Sequence, residues 1–122
     1  MAIVGYLEGT DPEVLTRLAI RGIGTLPLSN GADNHGKYIA HLTPADGVSL
    51  VVGYLHKLTP IAGMGLKPAD MLFACKTHNI PVLLIVPRED HDKARTVLDE
   101  VIDYVKCVDP AELYDRIIEI VG

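Results

Sequence analysis

The sequence predicts an α/β domain in which a five-stranded parallel sheet lies between two layers of helices, a three-layer sandwich. Three observations predict it. Apolar runs rich in β-branched residues alternate along the chain with segments whose apolar residues recur at helical spacing. The joints between them carry Asp-Pro pairs, Gly and Asn, the residues that start and stop such elements. The runs at 48–55 and 81–86 are apolar on both faces, as strands of a sheet covered on both sides must be.

Residues 2–7 read as the first strand, and Glu8, Gly9, Thr10 and Asp11 as the turn after it. Asp11 before Pro12 is an N-cap followed by proline at the first helical position. Val14, Leu15, Leu18 and Ala19 then repeat at helical spacing until Gly22 ends the helix. Residues 23–28 form a second strand. Pro27 cannot donate to a ladder, so this strand is expected at an edge. After a polar loop at 29–36, Tyr38, Ile39 and Leu42 predict a short helix stopped by Thr43 and Pro44.

The third strand, 48–55, leads into a long loop, 56–67, that holds Gly63, Met64 and Gly65. Pro68 opens a helix with Met71, Leu72 and Cys75 on one face, ended by His78 and Asn79. Residues 81–86 are the fourth strand. Asp90 starts a helix whose apolar stripe is Ala94, Val97, Leu98, Val101 and Ile102. A short fifth strand at 104–108 has Lys106 in its middle, and Asp109 with Pro110 caps a last helix that turns Leu113, Ile117 and Val121 inward.

Strict alternation of strand and helix implies right-handed crossovers and a parallel sheet. Pro27 and Lys106 suit edge strands, while strands one, three and four are apolar enough for the middle. The order 2-1-3-4-5 satisfies these constraints and is the arrangement of flavodoxin-like, Rossmann-like sheets. No repeat, linker or low-complexity tract divides the chain, so residues 1–122 are read as one domain.

Composition narrows the function. The hydrophobic share of 48% and charged share of 22% describe a globular chain. No apolar run approaches the roughly 20 residues of a membrane span, and the N-terminus begins directly on strand residues with no secretion signal. A formal charge of −5, with eleven scattered basic residues, disfavours nucleic acid as a partner. Cys75 and Cys107 lack a CxxC spacing and read as small apolar residues in a reducing, cytoplasmic compartment. Tyr6, Tyr38, Tyr54 and Tyr114 are more amphipathic side chains than a small monomer needs, which points to a homodimer or larger homo-oligomer.

In such sheets ligands bind beyond the carboxyl ends of the strands, where the crossovers diverge. For order 2-1-3-4-5 that crevice lies between strands one and three. Its rim would gather Glu8, Asp33, His35, Lys37, His56, Lys57, Lys67, Arg88 and His91. Loops are polar in any protein, so the set carries more weight than any one member. Gly63 and Gly65, ahead of the helix at Pro68 and beside Lys67, would let backbone N–H groups approach an anion. Glu8 and His56 end the two strands that bracket the crevice, and a carboxylate facing an imidazole can serve as an acid/base pair. The ligand-binding set is therefore Gly9, Thr10, Asp33, Lys57, Gly63, Gly65, Lys67 and Arg88, with Glu8 and His56 as the catalytic candidates. No metal is assigned: His35 and His41 are spaced badly for one helix face, and a site needs three or four converging ligands. The sequence specifies no cofactor.

Known patterns are matched only in fragments. Asp33, Asn34 and His35 resemble the Asp-x-His of cobalamin-binding corrinoid proteins, but that motif has Gly three residues after the His, where this chain has Tyr38. A response-regulator receiver needs a phosphorylatable Asp where this chain has His56 and Lys57. The GxGxxG fingerprint of dinucleotide sites and the Ser/Thr-rich phosphate loop of flavodoxins are both missing after strand one. Three functions remain open: binding of an anionic small molecule, phosphorylated ones included; a small enzyme working through Glu8 and His56; and a non-catalytic interaction subunit.

Overall fold

The computed structural model describes residues 2–59 and 67–122. Its strands are β1 (Ile3–Leu7), β2 (Gly24–Ser29), β3 (Lys37–Tyr38), β4 (Leu50–Tyr54), β5 (Val82–Ile85) and β6 (Val105–Val108). The helices are α1 (Pro12–Ile20), α2 (Pro68–Met71), α3 (Phe73–Thr77), α4 (His91–Val97) and α5 (Leu113–Val121), with short 3-10 turns between several of them. All six strands are parallel, in the order β3-β2-β1-β4-β5-β6.

Local chemistry explains the first crossover. The Asp11 carboxylate accepts a hydrogen bond from the Glu13 N–H at 2.9 Å, and Pro12 takes the first helical position, where its missing N–H costs nothing. Gly22, at φ +79°, ends the turn after α1.

Alternation along the strands sends side chains to two apolar layers. On one face Val4, Leu50, Val52, Leu83 and Ile85 meet Val14 and Leu18 of α1 and Leu113 and Ile117 of α5. On the other, Leu7, Leu28, Val51, Val82 and Leu84 meet Met71, Leu72, Cys75, Ala94, Leu98 and Val101. Arg17 stacks on the Tyr114 ring, 3.6 Å from its centroid, and clamps α1 to α5.

The structure corrects the expected strand count and order. A sixth strand, β3, lies outside β2 and pairs Leu28 with Lys37 and Ser29 with Tyr38, so β2 is not the edge. The five longer strands keep the relative order inferred for them. Pro27 is tolerated because this pairing begins one residue beyond it. The helix expected at Tyr38 is that strand followed by a single 3-10 turn, Ile39–His41, which still buries Ile39 and Leu42. The helix expected from Pro68 breaks at Leu72 into α2 and α3, with Met71, Leu72 and Cys75 all buried. The stripe expected on the helix after Asp90 is only partly inward: Ala94, Leu98 and Val101 are buried, whereas Val97 and Ile102 are exposed. Ala19 also faces solvent. Among the described residues no helix is long and apolar enough to cross a membrane.

Candidate functional site

An ion pair bridges the turns at the carboxyl ends of β1 and β4. Glu8 and Gly9 are exposed, and Gly9 takes φ +86°. Thr10 is buried, and its hydroxyl donates to the Leu7 carbonyl at 2.8 Å, closing the turn. Lys57 lies over this turn with its ammonium 3.7 Å from the Glu8 carboxylate. Its carbonyl accepts a hydrogen bond at 2.9 Å from the amide of Asn30, which is 2% exposed and so joins the loop after β2 to the turn after β4. The structure therefore brings Glu8, Gly9 and Lys57 together. Among the described residues no hydrogen bond links Glu8 to His56; the imidazole instead lies beside the Tyr54 ring, 5.9 Å between centroids.

The other sequence-derived residues are dispersed. Asp33 shapes its own loop: its carbonyl accepts from the Ser29 hydroxyl at 2.7 Å, and its carboxylate accepts from the His35 N–H at 3.2 Å. His35 sets Nδ1 3.1 Å from the Leu28 carbonyl and its ring edge-on to Tyr6. Lys37 is held by Asp46 through two hydrogen bonds of 3.0 and 2.9 Å. These bonds, and the Thr43 N–H, hold the Asp46 carboxyl below its usual range. Arg88 is exposed and ion-paired with Glu112 at 2.9 Å. Lys67 is exposed ahead of α2, and its N–H donates to Asp70. Gly63 and Gly65 lie outside the described residues. Among the described residues no group of three His, Cys, Asp or Glu side chains could hold a metal ion.

One strand over, a cleft of about 440 Å³ opens beyond the carboxyl ends of β4 and β5. Tyr54, Leu55, Ile85, Val86 and Pro87 form its floor and one wall, and His56 and Thr59 stand on the β4 side. Asp90, Lys93, Ala94 and Val97 supply the facing wall. Asp90 precedes α4, and Lys93, Ala94 and Val97 lie on one side of it, so that side of the helix lines the cleft while Leu98 reaches the core. The wall is braced at its base. His91 Nε2 sits 2.8 Å from the Val86 carbonyl, to which an N–H there donates. Asp109 accepts from the N–H groups of Arg88 at 2.9 Å and Ala111 at 3.1 Å, bonds that also lower its pKa.

Of the residues proposed from sequence, His56 lines this cleft. Lys93 and Asp90 do too, and neither was among the site candidates: Asp90 reads from sequence as the start of a helix and Lys93 as part of its first turn rather than of a loop. Their spacing was the available signal: three residues apart, directly after a strand and Pro87. A second cleft, about 530 Å³, lies at the opposite ends of β5 and β6 against Cys75, Ile102 and Tyr104. The β4–β5 cleft is the better candidate, since the carboxyl ends of parallel strands are where α/β sheets hold ligands. Compared with protein-family models and with curated proteins, the chain matches none.

Proposed function

We propose that the chain binds a small molecule with an anionic group and an apolar body in the cleft between β4, β5 and α4. The observation that carries this reading is the cleft itself. Its volume of about 440 Å³ falls within the roughly 300–1,000 Å³ of small-molecule sites. Apolar side chains supply most of its walls, and a few polar groups converge on its rim, as such sites require. Lys93 supplies a full positive charge there and His56 an imidazole that can donate a hydrogen bond. Lys37, Lys57 and Arg88 each face a carboxylate elsewhere, so among the described residues they suit an anion less well.

Calorimetric titration tests the reading with 3-phenylpropionate, phenyl phosphate and the neutral 3-phenylpropionamide. The two anions are expected to bind more tightly than the amide. Lys93→Met keeps most of the apolar stem and removes the charge, and it should weaken the anions by about tenfold while leaving the amide unchanged. Equal binding of anions and amide to the wild-type protein, or no binding at all, would overturn the proposal.

A further inference from the structure

We infer that the ligand of the β4–β5 cleft is a zwitterion with an apolar side chain, a free α-amino acid. This rests on the reading of the cleft as a small-molecule site and narrows the ligand class. Asp90 and Lys93 lie three residues apart and both line the same wall. Asp90 immediately precedes α4 and Lys93 lies in its first turn, both exposed, and the two form no ion pair with each other or with another described residue. Asp90 occupies the N-cap of α4, where a carboxylate ordinarily accepts a hydrogen bond from the first turn, but its side chain makes no such bond. The cleft wall thus presents one negative and one positive group side by side.

A simple anion would meet Lys93 at the cost of lying next to the Asp90 carboxylate. A simple cation would meet the reverse problem. An α-amino acid carries its ammonium and carboxylate on one carbon and answers both groups at once. Its side chain then points along Val86, Pro87, Ala94 and Val97, which offer no polar partner and so select an aliphatic or aromatic group.

Isothermal titration with L-phenylalanine, 3-phenylpropionate (the same skeleton without the ammonium) and phenethylamine (without the carboxylate) tests this on wild type, Asp90→Asn and Lys93→Met. Melting curves of the unliganded variants establish that each is folded. Wild type is expected to prefer phenylalanine to either half by about tenfold. Asp90→Asn should reduce phenylalanine to the level of 3-phenylpropionate and leave 3-phenylpropionate no weaker than before. If 3-phenylpropionate binds wild type as tightly as phenylalanine and is weakened by Lys93→Met, the zwitterion is wrong and the anion site stands. The zwitterion is equally wrong if phenylalanine binds wild type and Asp90→Asn alike. If none of the three binds, the cleft is not the ligand site and both readings fall.

Discussion

At Gly36 the backbone has no room for a side chain. Its φ of +89° is a conformation that L residues rarely adopt, and a Cβ there would collide with the Pro27 carbonyl. Gly36→Ala is therefore expected to cost more than about 1 kcal/mol in urea denaturation. Gly22 is the internal control: its φ is +79°, but nothing lies within 4 Å of an added Cβ, so Gly22→Ala should cost less. Equal losses would show that the turn into β3 relaxes around the new methyl group. Single residues of the rim could be picked out from sequence, as Glu8 and Lys57 were. That they meet each other could not. The Glu8–Lys57 contact depends on two turn conformations far apart in the chain, and the same is true of the buried Asn30 that anchors the Lys57 carbonyl.

Elements were legible where a run was long and unbroken. β4 and β5 stand out because a strand buried on both faces must be apolar throughout, and α1 because Asp11 and Pro12 mark its start. β3 was not legible, because two residues hold no periodicity. The stripe after Asp90 misled for a different reason. α4 ends at Val97 and the chain continues as a 3-10 turn, Asp99–Val101. A 3-10 turn advances further around the axis per residue than an α-helix, so a stripe extrapolated at helical spacing fails just past it: Val101 stays buried and Ile102 faces solvent. Val97 lies inside α4, on the side of the helix that lines the cleft. Leu98, 1% exposed, remains the anchor of this element. Leu98→Ala should cost about 2–5 kcal/mol in chemical denaturation; a loss under about 1 kcal/mol would show that the packing around α4 collapses to fill the space.

The whole molecule answers to pH from both sides. Burial pushes the Cys75 thiol from its usual 9.0 up to about 12. Below 9.0 both folded and unfolded chains hold that proton, and the burial carries no pH-dependent penalty. Above it the unfolded chain releases the proton while the folded one keeps it, so stability falls as the pH climbs toward the folded value. Between about pH 8 and pH 10.5 the wild type should lose about 2 kcal/mol more than Cys75→Ala, read from paired urea titrations; parallel losses would mean the thiol is not the group responsible. On the acid side, Asp46 and Asp109 have lowered values, so their contributions hold above the ordinary carboxylate range and fade as the pH falls through it. The two borders of the sheet add a property of another kind. One is β3, only two residues long, and the other is β6, four residues long with Lys106 turned to solvent. A strand of a second chain laid along either border would find too few backbone groups to grip, or a charge in its way. The borders of the sheet thus withhold the template on which fibrils grow, and the uninterrupted apolar Val82–Ile85 is locked in its interior, paired on both sides.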